Sequence, residues 1–271
     1  MTKKILIFSG RFFAIFALSI LFQQIGFYIL KTEDSLLFFP SMALATFCVL
    51  FMFDKNKTEK IDLGLISNTH GSNLHGILIG AILISLSFFI MKLLGALQIV
   101  HTQTSFTQIS NFIFLFFLFF IVAFQEELFF RGYLHSLADN LFSNPKTSIL
   151  ITAILFSCMH AFNPNALASP LPLFNIFLAG LLLGIFRLYS NGIWMPIGFH
   201  WSWNLLQGFY GFQVSGISIK PILKIELSSN HWLSGGQFGA EGSMITTFLL
   251  VIAIAGYGYF YTTIKKRTVQ Q

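Results

Sequence analysis

Phe112-Ile-Phe-Leu-Phe-Phe-Leu-Phe-Phe-Ile-Val-Ala-Phe-Gln-Glu-Glu-Leu-Phe-Phe-Arg131 decides the fold. From Phe112 to Phe124 every side chain is apolar, and then two carboxylates and a guanidinium follow within about two helical turns. A run of this length is too long for a strand and close to the ~20 residues that cross a bilayer as a helix. The rest of the chain is of one kind with it. Of its 271 residues 55% are hydrophobic, 35 are Phe, and 10% are charged, where soluble proteins carry about 25% charged residues. That composition excludes a soluble domain, and the unbroken apolar runs exclude an outer-membrane barrel, whose strands alternate. The formal charge of +6 comes without a basic stripe or interleaved aromatics, so nucleic acid is not an expected partner. Cys48 and Cys158 both lie inside apolar runs, which argues against a disulfide or a thiolate metal site.

Working outward from 112–130, seven further apolar segments occupy 5–30, 36–53, 74–97, 148–161, 174–188, 193–209 and 244–261. The expectation is an all-α polytopic bundle, residues 1–271 as one membrane domain, with about eight spans. The first segment follows Lys3 and Lys4 as a signal peptide would, but its length, its Arg11 and the lack of a small-residue cleavage site favour a retained helix. With the N-terminus in the cytoplasm, Lys3, Lys4, Lys55, Lys57, Lys60, Lys146, Arg187, Lys265, Lys266 and Arg267 fall inside, and only Lys31, Lys220 and Lys224 outside. Positive charge inside is the expected asymmetry, and an even number of spans returns both termini to one side. The localisation read from this is a bacterial-type plasma membrane with both termini cytoplasmic. The loop 211–242 is expected outside, and the charged end of the fourth helix on the cytoplasmic side. Arg11 and Lys92 sit within two turns of helix ends and are read as snorkelling.

The remaining intramembrane polarity gathers in the central helices. Glu127 and Arg131 are four apart and share a helix face, the favourable order for an ion pair. Glu126 points about 100° away and is left to face something else. The bland alternative is a helix end emerging into water with solvated charges. His160 closes Phe156-Ser-Cys-Met-His160; Glu126 and His160 stand at similar distances on either side of the polar turn 140–145, so antiparallel helices joined there bring them level. His200 and Asn204 share a face of the seventh segment, just after Pro196. Gly180-x-x-x-Gly184 in the sixth is read as helix packing. The other histidines, His70, His75, His101, His135 and His231, are expected to be solvated.

Glu126-Glu127-x-x-x-Arg131, Phe156-x-x-x-His160 and His200-x-x-x-Asn204, in this order on successive membrane helices, resemble the CPBP family of CAAX prenyl proteases and bacteriocin-processing or immunity proteins, also called the Abi family. The resemblance covers 112–209, a four-helix catalytic core, and the flanking helices match only in being hydrophobic. It implies an intramembrane endopeptidase acting near the membrane surface on a membrane-associated peptide or protein, prenylated in the CAAX-type case. Hydrolysis needs an activated water and an oxyanion stabiliser. Glu126 with His160 can hold and deprotonate water, and His200 and Asn204 can donate to the oxyanion, with Glu127 and Arg131 in support. Ser157 and Cys158 lie on other faces than His160, which argues against a covalent nucleophile. Glu126, His160 and His200 are also a possible zinc set with an open fourth position, but no His-Glu-x-x-His is present and a metal-free site is favoured. The alternative from another class is a non-catalytic immunity or scaffold protein, or a proton-coupled transporter, using the same cluster.

Overall fold

Each of the eight apolar segments is helical in the computed structural model, which describes residues 2–30, 40–54, 61–66, 72–102 and 106–269. Lys31, Lys55, Lys57, Lys60 and His70 lie outside the described residues. The order is α1 (Thr2–Leu30), α2 (Ser41–Val49) running into a π-helical turn (Leu50–Asp54), α3 (Ser72–Leu93), β1 (Leu97–Thr102), α4 (Phe106–Glu127), a second π-helical stretch (Leu128–Leu134), α5 (His135–Phe142), α6 (Pro145–His160), α7 (Leu171–Ser190), α8 (Trp194–Phe209), β2 (Leu223–Leu227), α9 (His231–Ser234) and α10 (Met244–Val269). Among the described residues four helical stretches are long and apolar enough to cross a membrane: Thr2–Ile29, Ser72–Leu93, Gln108–Phe142 and Leu171–Ser190. Ser41–Asp54 and Met244–Phe260 are shorter apolar helices.

Two sequence expectations change. The fourth helix does not end at Phe130; it continues through the π stretch and α5 to Phe142, so Glu126 and Glu127 sit in mid-helix. It stops where Ser143 takes a left-handed backbone, and Asn144 then caps α6 by accepting the Lys146 N–H at 3.0 Å, with Pro145 in the first turn. The chain is also not helical throughout, since β1 and β2 pair antiparallel, Leu97 opposite Leu227 and Thr102 opposite Leu223.

Packing explains which helices carry the rest. A Cβ on Gly76 would overlap the Met195 carbonyl, one on Gly80 the Phe199 carbonyl, and one on Gly198 the Asn73 carbonyl. Backbone therefore meets backbone where α3 crosses α8, the contact that small residues permit. Gly180 and Gly184 do the same for α7 on α6, against Ala153 and Ile149, as read from their spacing.

One end of the bundle is closed by the segment 61–66. Asp62 accepts from Arg187 Nη2 at 2.8 Å and donates its N–H to Ser136 Oγ at 2.8 Å, while Trp194 Nε1 donates to the Leu65 carbonyl at 2.7 Å. Phe8 packs on Phe142 at this end, and Tyr257 reaches His75 at 3.1 Å. Both α1 and α10 therefore direct their terminal ends here. Arg11 does not snorkel: its Nε is 3.5 Å from Asp54 Oδ2 and its guanidinium lies 4.0 Å over Phe53, while the Tyr133 hydroxyl donates to the same Asp54 carboxylate. Lys92 is exposed at the end of α3, as expected. The opposite end is built from β1, β2, the turn after His160 and the connection from α8 to α10.

Candidate functional site

The two adjacent glutamates at the end of α4 do different things. Glu127 is completely buried, and its Oε1 accepts from Arg131 Nη1 at 2.9 Å and from His200 Nδ1 at 2.9 Å. Arg131, equally buried, also donates from Nη2 to the Gly180 carbonyl at 3.3 Å and lies 4.3 Å over the Phe156 ring. A helix end in water would leave these charges solvated, so that bland reading does not describe them. Glu126, one residue back, turns to the other side. Its side chain is 17% exposed, and its Oε2 is 3.9 Å from His200 Nε2 without a hydrogen-bond partner among the described residues.

The tautomers follow from the partners. A carboxylate oxygen can only accept from an imidazole, so His200 Nδ1 carries its proton toward Glu127. His160 Nδ1 stands 2.8 Å from the Phe156 carbonyl, which also only accepts, so Nδ1 is protonated here too. Both rings thus keep Nε2 for whatever enters the site.

Glu126, His160, His200 and Asn204 meet on one cavity of about 200 Å³, with Val214, Ser215, Ile217 and Ile219 forming its far wall. The level pairing of Glu126 with His160 across the 140–145 turn is realised, as is the shared face of His200 and Asn204. Glu127 and Arg131 stand behind this surface and support it. A second polar cavity of about 30 Å³ adjoins the first, between His160, His200, Asn204 and Glu241, with room for a water molecule. Ser157 donates to the Leu173 carbonyl at 2.7 Å, turned away from the cluster as expected.

The sequence reading missed a third carboxylate. Glu241, in the loop read as solvent-facing, is buried and accepts from Ser215 N–H at 2.8 Å and Gln207 Nε2 at 3.1 Å. Burial pushes its carboxyl above the ordinary 4.5, against the pull of its donors and of His160. The only sequence signal was an acidic residue between Ala240 and Gly242, immediately before an apolar helix. Its position also corrects the placement of the site. The polar cluster was expected on the side of the termini, whereas its wall comes from the α8–α10 connection, at the opposite end from both termini.

As a metal centre the set fits in part. The free Nε2 atoms, each backed by an Nδ1–H bonded to an acceptor, are oriented as ligand histidines are. Among the described residues, however, no three His, Cys, Asp or Glu side chains are grouped to hold a metal ion.

Residues 108–206 match the family model Rce1-like, described as type II CAAX prenyl endopeptidase Rce1-like. All six residues of the three motifs lie within the matched segment, and the match agrees with the resemblance those motifs carry. The matched family is a protease family, and with the apolar helices it marks an integral membrane protein. No curated protein matches the chain.

Proposed function

We propose that the chain is an intramembrane endopeptidase of the CAAX-processing type, which cleaves a membrane-anchored peptide with water activated by Glu126 and His160. One observation carries this reading. Glu127 is consumed by Arg131 and His200, whereas Glu126 presents an unpaired carboxylate oxygen to a cavity it shares with His160, His200 and Asn204. In the proposed step, water bound between Glu126 and His160 Nε2 attacks the scissile carbonyl and Glu126 takes its proton. The oxyanion accepts from the Asn204 amide and from His200. Because His200 Nδ1–H is committed to Glu127, donation from Nε2 requires the imidazolium, with Glu127 as its counter-ion. The proton on Glu126 then passes to the leaving amine. Arg131 holds Glu127, and so the ring of His200, in place.

The membrane arrangement belongs to the same proposal: eight crossings, a four-helix catalytic core over 112–209, and both termini in the cytoplasm. With the termini inside, the cluster sits in the half of the bundle that faces away from the cytoplasm. The deciding experiment reconstitutes the full chain in liposomes with a farnesylated fluorogenic CAAX peptide. Wild type should release the C-terminal fragment and Glu126→Gln should not. Equal release by the two proteins would sink the mechanism. Single cysteines at Ser229 and Thr268 test the sidedness, and labelling of Thr268→Cys by an impermeant reagent from outside intact cells would reverse it.

A further inference from the structure

Beyond the matched segment, the connection from α8 to α10 dips back over the cavity. Val214 pairs with Ile217, and between them Ser215 and Gly216 both take left-handed backbones (φ 48 and 81). Such a two-residue hairpin is natural for Asn-Gly and unfavourable with serine at its first position. Three attachments hold it nonetheless. Asn163, just past α6, donates from Nδ2 to the Ser215 carbonyl at 3.0 Å, and Gly216 N–H donates to the Phe238 carbonyl at 2.9 Å. The third is Glu241: its Oε2 accepts the Ser215 N–H at 2.8 Å and the Ser215 hydroxyl at 3.1 Å.

The Glu241 carboxylate is itself held in one orientation. Gln207 at the end of α8 accepts from Trp203 Nε1 at 2.8 Å, donates one amide hydrogen to the Gln213 carbonyl at 2.8 Å, and has the other left for Glu241 at 3.1 Å. That chain runs from the helix bearing His200 and Asn204, through Gln207 and Glu241, to the hairpin whose Val214, Ser215 and Ile217 face Glu126 and His160. A buried carboxylate is costly to keep, and this one is met by donors rather than by a cation, so its presence asks for a role.

We propose that Glu241 is a positioning residue for substrate. It pins the 214–217 hairpin as the wall of the cleft, so that the side chain beside the scissile bond is held against Ile217 while the carbonyl lies over Glu126 and His160. The proposal rests on the endopeptidase reading for the identity of the substrate, but not for the pinning of the wall.

The test has two arms on the full chain in phosphatidylcholine liposomes. In the first, with Cys48→Ala and Cys158→Ala as background, the maleimide labelling rate of Ile217→Cys is measured with no peptide present. Adding Glu241→Gln should raise it by roughly tenfold, the equivalent of losing one bond to a charged acceptor. In the second arm, the farnesylated CAAX peptide is cleaved by Glu241→Gln and by the milder Ser215→Ala, which removes only the hydroxyl donor. KM should rise about tenfold in Glu241→Gln and about threefold in Ser215→Ala, with kcat within about threefold of wild type. A residue that merely kept the protein folded would lower kcat and the active fraction together and leave KM alone. Unchanged labelling of Ile217→Cys, or a loss confined to kcat, overturns the pin. A wild-type protein that cleaves nothing overturns the endopeptidase reading instead, and the labelling arm still decides on Glu241.

Discussion

Replacing each of the two adjacent glutamates by glutamine should separate their roles through stability before any activity is measured. Glu127 and Arg131 are both fully buried, and Glu127 Oε1 takes two charge-assisted bonds, from Arg131 and His200. Glu127→Gln leaves a neutral carbonyl for those donors and sets an NH2 where Oε2 lies buried without a partner among the described residues. Breaking a buried pair costs about 3–5 kcal/mol. Arg131 keeps its bond to Gly180 and its place over Phe156, so the low end, about 3 kcal/mol, is expected. At ~2–4 °C per kcal/mol for a chain of this size, Tm should fall by roughly 6–12 °C. Glu126→Gln changes a partly exposed, unpaired side chain into its isostere and should stay within about 1 kcal/mol, or roughly 2–4 °C. Tryptophan fluorescence melting in detergent micelles reads both, with peptide cleavage measured on the same samples. Both variants should be inactive, but only one unstable. Equal shifts in Tm would refute the division of labour between the two carboxylates.

Asn204→Ala should lower turnover by roughly 10²–10³ with little change in KM, and added zinc should not restore it; recovery with one equivalent of zinc, together with loss of wild-type activity in chelator, would establish a metal site instead. Gly80→Ala forces a methyl into the Phe199 carbonyl and should cost about 1–3 kcal/mol, whereas Gly256→Ala, with open space around it, should stay within about 0.5 kcal/mol of wild type in the same melting assay. Glu241 is raised from 4.5 by burial, so the folded state holds its proton more tightly than the unfolded state does. Its contribution is complete below pH 4.5 and is lost as pH rises toward the folded value. Wild-type Tm should therefore fall relative to Glu241→Gln as pH is raised from 4.5, and the opposite slope would show a carboxylate held ionised by Ser215 and Gln207.

What the sequence disclosed was whatever depends on helical spacing. Glu127 and Arg131 four apart, His200 and Asn204 four apart, and Glu126 and His160 balanced about Asn144 are all local relations, and all three are met. Gly76-x-x-x-Gly80 was equally visible but was passed over; it seats α3 against the helix that carries His200. Contacts between distant segments could not be read this way. The bond from His200 to Glu127 spans 73 residues and the one from Ser215 to Glu241 spans 26, with no periodicity linking either pair. Arg11 was assigned to the membrane surface because its partner Asp54 belongs to another helix. The end of the fourth helix was misplaced for a different reason: charged residues look like an exit from the bilayer unless their buried partners are known.

The π-helical stretch Leu128–Leu134 makes chain length part of what this site encodes. Bonding from i to i+5 takes in one more residue per turn than an α-helix does, and every residue of the stretch is buried. Upstream stand Glu126 and Glu127; downstream, Tyr133 is bonded to Asp54 and Ser136 to Asp62. Deleting one residue between them would let the turn tighten into an α-helix and swing α5 by about 100°, away from both anchors. No reactive side chain would have changed, yet the carboxylates would lose the foundation that holds them at their depth. A shortened relative could therefore keep all six motif residues and lack a working site, because the number of residues following Glu127 counts as much as their kind.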